Sequence, residues 1–427
     1  MTSHLLKGDN VMNFKDSIIS YIRSGESENK NLGLEIEHFI VNKQGEQIEF
    51  DEITNLIKEV SEKINANVSY SDGYPVGYST DEYAITLEPS CQFEISINPY
   101  EDIEKIEKVY KEFVSLWEPI FTKHGYNMVT NGNLPAVEQG KITPNQIPLS
   151  SKLRYKYMDE YLSKSGKFSR YMMRASASAQ VSLDYKSEED LAKKLRVLEK
   201  ISPILMIIME SKSDKEFLLP GNDGHTHLLR IQEWDDLDPD RTGFLEGSLD
   251  EGFGYENVAD ITYNVPLILL TKDGVTEYVG DKSAKDLVDE GIIKESDVED
   301  REKETQLIEH VFSMGFFHYR VKKYIELRVA DSVPIDKALG FVALLKGLIY
   351  DNSNLNVLDE KFSNVKTLDD IQSAINEIKV KGFDAVIYDE KTAYDYADEL
   401  VEIADKGLEV KDKEYLKNVR AFWSDIK

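Results

Sequence analysis

Five glutamates lie at strand-like spacing in three stretches of this chain, and carboxylates in such numbers can form a metal site. They are Glu35, Glu37, Glu88, Glu94 and Glu326. Because residues two apart in a strand share a face, Glu35 and Glu37 bring like charges together, which costs stability unless a cation lies between them. Mg²⁺ prefers hard oxygen ligands and is usually shared between a few carboxylates and substrate phosphates. The sequence therefore predicts that these five glutamates bind magnesium, with enough carboxylates for two or more ions.

Arginines accompany the glutamates on the same predicted strand faces. Arg174, Arg320 and Arg328 alternate with apolar neighbours, and a guanidinium group is planar, always charged and suited to bidentate contacts with phosphate oxygens. Carboxylates for metal and arginines for phosphate on one sheet face are the components of a phosphoryl-transfer site. The pattern thus predicts metal–phosphate chemistry and leaves the acceptor of the phosphate open.

Four segments alternate between apolar and polar residues, which is typical of half-buried strands. They are Gly33–Val41, Ile85–Ile97, Met173–Tyr185 and Phe317–Val329. Helical patterns cover Tyr100–Thr122, Ser187–Ser211, Ile335–Tyr350, Leu368–Val380, Ala393–Lys406 and Asp412–Trp423. Because strands and helices do not alternate regularly, we expect an α+β fold with a mainly antiparallel sheet surrounded by helices, not a doubly wound parallel sheet. The Gly-, Asp- and Lys-rich ranges 212–260 and 271–304 are predicted to form loops or lids.

The same alternation is also typical of an ordinary antiparallel sheet whose charged face is exposed to solvent. Two features favour a functional face. The polar positions combine Glu, Gln, Ser, Tyr and Arg with little Lys, whereas a solvated face of an acidic protein usually mixes Lys, Glu and Thr. In addition, the neighbouring Glu35 and Glu37 require a positive partner.

The composition narrows the possible partners and the compartment. The chain has 427 residues, with 51 Lys and Arg against 79 Asp and Glu, which gives a net charge of −28. Such acidity argues against nucleic acid or an anionic membrane surface as a partner. The apolar runs are too short to span a bilayer, and the start of the chain has no apolar stretch of signal-peptide length. The single cysteine, Cys91, excludes an intramolecular disulfide, so we expect a reducing, cytoplasmic location.

Several common alternatives lack their motifs. The chain has no GxxxxGK[ST] loop and no GxGxxG after a strand, which excludes ordinary P-loop and Rossmann folds. His225 and His227 lie in a Gly-rich segment without a third ligand nearby, so we interpret them as loop residues. Ser176 and Ser178 lack the GxSxG setting of a nucleophile and are interpreted as hydrogen-bonding residues. Cys91 lies on an apolar face and is predicted to be a small core residue.

An ordered set of segments resembles the glutamate–cysteine ligases of plants and many bacteria. The segments are GLEIEHF (33–39), ITLEPSCQFEIS (85–96), LRYKYMDEYL with MMRASASAQVSLDY (153–162 and 172–185), LLRIQEWDDLDPDRTGF (228–244) and YIELRVADSVP (324–334). Each segment alone is weakly specific, but together they span most of the chain. The resemblance, and not the alternation, indicates glutamate as a substrate.

What the resemblance implies begins with the fold, which in this family is similar to that of glutamine synthetase. It implies a curved, mainly antiparallel sheet that forms a funnel, in one catalytic domain over 1–427, with the motifs in 1–334 and a mainly helical part in 335–427. The five glutamates would bind Mg²⁺. The catalytic residues would be Glu35, Glu326 and Arg328. The ATP-binding residues would be Arg174, Gln180, Arg320 and Arg328. The substrate-binding residues would be Arg230, Arg241, Gln92 and Tyr324.

The implied reaction has two steps. The γ-carboxylate of glutamate attacks the terminal phosphate of ATP to form γ-glutamyl phosphate, and the amine of cysteine then displaces phosphate to give γ-glutamylcysteine. Metal ions must neutralise the two anions and hold them in line. Because an acyl phosphate hydrolyses readily, we expect a lid that excludes water.

Three segments depart from the family pattern. EPSCQ (88–92) replaces EPGGQ, SASAQVSLD (176–184) replaces a TASVQVNLD-like segment, and MESKSDKEFLLPG (209–221) stands where the family has an Asn-Ser-Pro-Phe stretch. The metal and phosphate residues are retained, so the departures concern the acceptor pocket. A ligase of this family with another amine acceptor is the first alternative. A metal-dependent or paired-carboxylate hydrolase and a non-catalytic metal-binding protein are the others.

Overall fold

The computed structural model describes residues 13–222, 224–388 and 391–423; the first 12 residues, which belong to the start predicted to lack a signal peptide, lie outside the described residues. The strands are β1 (Leu32–Asn42), β2 (Asn67–Ser71), β3 (Tyr74–Ser79), β4 (Tyr83–Leu87), β5 (Phe93–Tyr100), β6 (Tyr126–Val129), β7 (Ser178–Leu183), β8 (Thr242–Gly243), β9 (Pro266–Lys272), β10 (Val275–Ser283), β11 (Phe316–Phe317), β12 (Tyr319–Val321), β13 (Ile325–Asp331), β14 (Val386–Ile387) and β15 (Lys391–Thr392).

The helices surround these strands and dominate the C-terminal part. They are α1 (Phe14–Arg23), α2 (Phe50–Ile64), α3 (Ile103–Lys123), α4 (Pro135–Glu138), α5 (Leu153–Ser165), α6 (Ser169–Ala175), α7 (Glu188–Ile208), α8 (Leu229–Asp235), α9 (Tyr255–Asn264), α10 (Ala284–Asp289), α11 (Glu295–Glu299), α12 (Arg301–Phe312), α13 (Ile335–Ile349), α14 (Asn352–Lys361), α15 (Leu368–Lys381), α16 (Ala393–Gly407) and α17 (Lys413–Ala421). Each predicted long helix is present, as α3, α7, α13, α15, α16 and α17. Within the described ranges, none of the helices combines the length and apolarity that crossing a membrane requires.

A nine-stranded sheet lies at the centre of the fold. Its strands are ordered β12, β13, β7, β1, β5, β4, β3, β2, and β6 pairs with the end of β1. Every pairing in this sheet is antiparallel, and β12 and β2 are its two edges. The prediction of an α+β fold with a mainly antiparallel sheet is therefore confirmed.

Three of the four predicted strands are interrupted, so the prediction of continuous strands was wrong there. Segment 85–97 is a hairpin of β4 and β5, because the amide of Cys91 donates to the carbonyl of Glu88 at 3.0 Å and Cys91 adopts a φ of 65°. Segment 317–329 holds the β12–β13 hairpin, in which the amide of Lys322 donates to the carbonyl of Tyr324 at 2.8 Å. Residues directly opposite each other in an antiparallel pair lie on the same face of the sheet. The alternation of apolar and polar residues in the sequence therefore continues from one strand of each hairpin into the next.

The remaining differences concern helices found where strands or loops were predicted. In the predicted strand 173–185, the first residues complete α6 and β7 begins only at Ser178. Range 271–304, predicted as loop or lid, contains all of β10, α10 and α11. Short amphipathic elements separated by Gly and Asp have little periodicity, which explains why the sequence pattern missed them.

Helices bury one face of the central sheet. Leu34 and Ile36 of β1 are fully buried. On β5, Phe93 packs against Trp117 and Phe121 of α3, with ring centroids 4.7 and 5.4 Å apart. Because strand side chains alternate between faces, this burial directs the intervening polar side chains of β1 and β5 to the opposite side.

Candidate active site

A cavity of about 330 Å³ opens over the polar face of the central sheet. Strands β1, β5, β7, β12 and β13 contribute to its lining, together with α5, α6 and α8. Its polar lining residues are Glu35, Glu37, Glu88, Gln92, Glu94, Arg154, Tyr155, Ser176, Ser178, Gln180, Arg230, Ser313, Arg320, Lys322, Glu326 and Arg328. All five glutamates that the sequence predicted as metal ligands therefore line one cavity, and they are not dispersed over a solvated sheet face.

Strand pairing sets the positions of the glutamates on β1. Glu37 lies directly opposite Glu94 of β5, and Glu35 lies directly opposite Gln180 of β7. The amide and the hydroxyl of Ser178 both donate to the Glu37 carboxylate at 2.8 Å. These neutral donors orient a carboxylate without cancelling its charge.

We define the acidic half of the cavity as Glu35, Glu37, Glu88 and Glu94. Burial, reinforced by Glu326, raises the pKa of Glu35 to about 7. Burial, reinforced by Glu88, raises the pKa of Glu37 to about 7. Burial and the neighbouring carboxylates raise the pKa of Glu94 well above its ordinary value. Shifts in this direction indicate that the nearby cations offset only part of the burial and of the repulsion between the carboxylates in the acidic half.

We define the basic half of the cavity as Arg320, Lys322 and Arg328, which surround Glu326. Arg328 Nη1 lies 3.1 Å from Glu326 Oε1, Lys322 Nζ lies 3.0 Å from Oε2, and Arg320 Nη1 lies 3.4 Å from Oε1. Although burial opposes ionisation, these cations hold the pKa of Glu326 well below its ordinary value. Three cations around one carboxylate leave a net positive charge, which suits phosphate oxygens.

Two cationic lining residues were missed by the sequence analysis. Lys322 lies in the turn between β12 and β13, and Arg154 lies in α5. Arg154 donates to the hydroxyl and the carbonyl of Ser313 at 3.2 Å and has no carboxylate within ion-pairing distance in the described structure. A signal existed for Arg154, since it belongs to the LRYKYMDEYL segment that carried the family resemblance.

Two buried donors in the cavity lack hydrogen-bond partners. Arg230 is 3% exposed, and its Nη2 donates to the carbonyl of Arg328 at 3.1 Å. Its Nη1 and the indole Nε1 of Trp234 are buried and make no hydrogen bond to any described residue. Because an unpaired buried donor costs free energy, such groups are rare unless a ligand or water satisfies them. Arg230 and Trp234 line this end of the cavity, although these two atoms are themselves enclosed by protein.

Three predicted site residues lie outside the cavity lining. Arg174 is in α6 and not on a strand, and it forms an ion pair with Asp159 at 2.9 Å. Arg241 is fully buried and forms an ion pair with Asp238 at 2.7 Å. Tyr324 lies in the β12–β13 turn. The geometry does not bring Arg174 or Arg241 to a ligand, because each guanidinium is engaged by a carboxylate within the protein.

Gln92 lines the cavity, but its side-chain amide has internal partners. Its Nε2 donates to the carbonyl of Ser176 at 3.0 Å, and its Oε1 accepts from the amide of Ser90 at 2.8 Å. Gln92 therefore holds the β4–β5 turn against the end of α6. A direct contact between Gln92 and substrate stays a prediction.

The two predicted lid ranges differ in their relation to the cavity. Range 212–260 contributes Arg230 and Trp234 to the lining, whereas none of the described residues in 271–304 lies in it. The lid function of both ranges stays a prediction.

The carboxylates of the cavity fit a metal ion that is shared with a substrate. Among the described residues, no three His, Cys, Asp or Glu side chains are grouped closely enough to hold a metal by themselves. Mg²⁺ usually takes only one or two carboxylates and completes its shell with water and substrate phosphates. The opposed Glu37 and Glu94 form such a pair, and their raised pKa values indicate that positive charge is needed there. The acidic half thus fits Mg²⁺ shared with phosphates.

Fold and cavity together define a site in which carboxylates and cations line one face of an antiparallel sheet. A solved structure with a similar fold is the glutamate–cysteine ligase of Francisella tularensis in complex with AMP, with a TM-score of 0.51 and 15% sequence identity. The match covers 93% of this chain and 81% of the Francisella chain. At this level of identity, the likeness establishes the fold.

The family follows from the sequence comparisons. The model of glutamate–cysteine ligase family 2 (GCS2) matches residues 31–420, and the chain belongs to this family. The chloroplastic glutamate–cysteine ligase B of Oryza sativa subsp. japonica is 25% identical over 398 residues, covering 92% of this chain and 77% of the rice protein. The chloroplastic enzyme of Medicago truncatula is 26% identical over 402 residues, covering 92% and 76%. The resemblance drawn from the motifs is therefore confirmed.

Proposed function

We propose that this chain catalyses the ATP- and Mg²⁺-dependent ligation of glutamate to cysteine. A γ-carboxylate oxygen of glutamate attacks the γ-phosphorus of ATP and ADP leaves, which gives γ-glutamyl phosphate. The amine nitrogen of cysteine then attacks the acyl carbon, phosphate leaves, and an amine proton is lost. The observation that carries the proposal is the cavity itself, in which carboxylates with raised pKa values lie beside a cluster of cations on one sheet face.

The acidic half would hold Mg²⁺, which supplies charge neutralisation between the attacking carboxylate and the triphosphate. Glu37 is already oriented by Ser178 and lies opposite Glu94, so this pair is the best placed of the predicted ligands. Glu326 was predicted as a further ligand, but its carboxylate is surrounded by the basic half. This arrangement supports a role in orienting the cations, and direct metal binding by Glu326 stays a prediction.

The basic half would hold the phosphates of ATP. Arg320 and Glu326 lie directly opposite each other across β12 and β13, so the hairpin fixes the guanidinium close to the cavity floor. Arg328 Nη1 also donates to Gln180 Oε1 at 2.5 Å, which connects the basic half to β7. Cations fixed in this way can stabilise the charge of the transferring phosphoryl group without reorganising during the reaction.

The unpaired donors of Arg230 and Trp234 would bind the α-carboxylate of glutamate. A carboxylate accepts several hydrogen bonds and would satisfy both donors at once. Arg241, which the resemblance placed near the same substrate, would act indirectly, because it is buried beside Asp238 away from the lining.

One of the three departures from the family pattern lies away from the cavity lining, which supports cysteine as the acceptor, whereas Ser176 of the second departure lines the cavity. Ser90 and Cys91 of EPSCQ are 1% and 3% exposed and do not line the cavity. The apolar part of the lining, which includes Met158, Met172 and Met173, offers a polarisable surface to a small sulfur-containing side chain. The substitution of two glycines therefore leaves the lining available for the acceptor of the family.

The proposal is tested by assaying the purified chain with glutamate, ATP and Mg²⁺ against a panel of amines. We expect ADP release to depend on cysteine and the product mass to equal that of γ-glutamylcysteine. If another amine and not cysteine stimulated ADP release, that amine would be the acceptor, and the proposed ligation reaction would still hold. ATP-independent activity, or metal binding without ATP turnover, would overturn the ligation itself.

The cytoplasmic location and the small-molecule partners are also proposals. The thiol of Cys91 is buried and unpaired, which is compatible with a reducing compartment. The two relatives named above are chloroplastic proteins, so the compartment must be measured for this chain. Fractionation of the source cells, with the activity assayed in each fraction, would decide it.

A further inference from the structure

Helix α8 carries a large share of the unsatisfied polar atoms in this protein. Fifteen buried side-chain nitrogen and oxygen atoms of the described residues make no hydrogen bond, and four of them belong to this seven-residue helix. They are Arg230 Nη1, Trp234 Nε1 and both carboxylate oxygens of Glu233. Arg230 is 3% exposed and Glu233 is fully buried. Because a buried polar atom without a partner costs free energy, this position of α8 is unfavourable for three of its side chains.

These three side chains lie on one face of the helix. Arg230, Glu233 and Trp234 are spaced i, i+3 and i+4, which places them on the same side of an α-helix. The Glu233 carboxyl nevertheless forms no ion pair with Arg230. Burial raises the pKa of Glu233 well above its ordinary value, although Arg230 and a weak contact with the Asn133 side chain act in the opposite direction. A single movement of α8 would therefore change the surroundings of all three side chains at once.

The C-terminal end of α8 makes one incomplete contact as well. Asp235 Oδ1 lies 3.9 Å from His318 Nε2, and this nitrogen is also buried without a hydrogen bond. Hydrogen bonds between nitrogen and oxygen are about 2.7–3.2 Å long, so a displacement of about 1 Å could bring the two atoms into contact. The other carboxylate oxygen of Asp235 pairs with Lys379 Nζ at 2.6 Å. The helix can thus shift by a small distance while its end stays attached.

Leu228, directly before α8, provides a strained hinge. Its φ and ψ angles are 56° and 45°, a left-handed conformation that is unfavourable for a residue with a Cβ atom. The amide of Leu228 donates to the Glu210 carboxylate, which also pairs with His227 Nδ1 at 2.9 Å. The chain is therefore anchored as far as Leu228. A change in the backbone angles of this residue would move α8 and leave the anchor in place.

We propose that α8 shifts as a unit when the α-carboxylate of glutamate enters the cavity, and that the shift brings Arg230 Nη1 and Trp234 Nε1 to this ligand. The inference rests on the proposed function, in which these two donors bind that carboxylate. Both residues line the cavity, but the two atoms are enclosed by protein, so the helix must move before they can reach a ligand. Relief of the unpaired groups and of the strain at Leu228 then contributes to the affinity for glutamate.

The first test follows tryptophan emission while the full chain, with Mg²⁺ and a non-hydrolysable ATP analogue, is mixed rapidly with glutamate. A shift of α8 predicts an observed rate constant that reaches a plateau as the glutamate concentration rises, because a conformational step then limits the rate. The chain has three tryptophans. Trp234→Phe should abolish the signal, and Trp423→Phe, at a buried position outside the cavity lining, should retain it. A rate constant that rises linearly over the whole range would indicate docking onto a fixed helix and would overturn the proposal.

Calorimetry with glutamate under the same conditions distinguishes the failure of this inference from the failure of the proposed function. If the wild-type chain binds glutamate and ligates it without any change in Trp234 emission, the shift of α8 is overturned and the proposed function stands. If the chain neither binds nor ligates glutamate, both are overturned. Binding together with a saturating change in emission supports both.

The second test separates the strain at Leu228 from the loss of its side chain. Leu228→Gly and Leu228→Ala both remove a side chain that is 2% exposed, but only glycine adopts the left-handed conformation at little cost. Leu228→Gly therefore stabilises the unshifted helix and should raise the KM for glutamate about fivefold relative to Leu228→Ala, with kcat changed by less than about twofold. Thermal unfolding checks that both variants fold. Equal KM values in the two folded variants would contradict the hinge and, with it, the shift of α8 as a unit.

Discussion

The acidic and basic halves of the cavity use the same residue type in opposite electrostatic settings. Glu37 has its pKa raised to about 7 by burial and by Glu88, whereas Arg320, Lys322 and Arg328 depress the pKa of Glu326 against its burial. The acidic half lacks positive charge and the basic half has an excess. This difference indicates that the acidic half is arranged to bind a cation from solution and the basic half to bind an anion.

Such a division suits a reaction between two anions. A glutamate carboxylate and a triphosphate repel each other, and neither half alone could bring them together. The acidic half is expected to cost folding stability until metal binds, which is a common feature of functional sites. If the two halves differ in this way, they should respond differently to the same chemical change.

The largest effect is expected for Glu37→Gln. This change keeps the shape of the side chain and removes a proposed metal ligand, so kcat/KM should fall about 1000-fold, or about 4 kcal/mol of transition-state stabilisation. Steady-state assays across Mg²⁺ concentrations measure it. Glu199→Gln is the matched control, because Glu199 is a fully buried glutamate outside the cavity lining, with its pKa raised to about 8 by burial. An equal loss of kcat/KM in Glu37→Gln and Glu199→Gln would contradict a metal-binding role for Glu37.

The next effect is expected on the free energy of unfolding. Replacing a glutamate by glutamine should change it differently in the two halves. Glu326→Gln leaves three buried cations without their counter-charge and should lower the free energy of unfolding by about 3 kcal/mol. Glu37→Gln relieves repulsion and should not lower the stability of the metal-free protein. Urea unfolding at pH 7 measures both. If both variants were destabilised alike, the contrast between the halves would be refuted.

Magnesium itself should stabilise the protein through the acidic half. At a Mg²⁺ concentration 100 times the Kd, a site that exists only in the folded state adds about 2.7 kcal/mol. Unfolding scans with and without Mg²⁺ measure the gain. We expect it to disappear in Glu37→Gln and to persist in Glu199→Gln. A gain that is unchanged in Glu37→Gln would place the ion elsewhere.

A smaller change in the free energy of unfolding, for each pH unit, is expected from the carboxyls of the acidic half. Glu35 and Glu37 have folded-state pKa values of about 7 against an ordinary value of 4.5, so the folded state binds more protons than the unfolded state between these values. The metal-free protein should therefore lose stability as the pH rises from 4.5 to 7, by about 1 kcal/mol per pH unit for each group. Urea unfolding at pH 5 and 7 measures the loss, and Glu37→Gln should reduce it. A loss of equal size in the variant would assign the titration to other groups.

The sequence allowed the face of the cavity to be predicted, but not all of its residues. Alternation continues through the β12–β13 hairpin because opposed residues share a face, so Arg320 and Glu326 were assigned correctly to one side although the strand is not continuous. Arg174 was predicted to lie on the strand face because the end of the short helix α6, which precedes β7, also alternates between apolar and polar residues. Lys322 follows the same alternation as Arg320 and Glu326, but it was given no role because only the arginines were considered as phosphate ligands.

The smallest effect is expected where the sequence and the geometry disagree. Arg174→Lys should change the KM for ATP by less than about twofold, because this guanidinium contacts Asp159 and the carbonyl of Ile147 outside the cavity. Arg328→Lys keeps the charge but loses the planar fork and should raise that KM by about tenfold or more. Initial rates at varied ATP measure both. If Arg174→Lys proved the more damaging, the phosphates would have to extend beyond the basic half toward α6, and the division of the cavity would need to be redrawn along that helix.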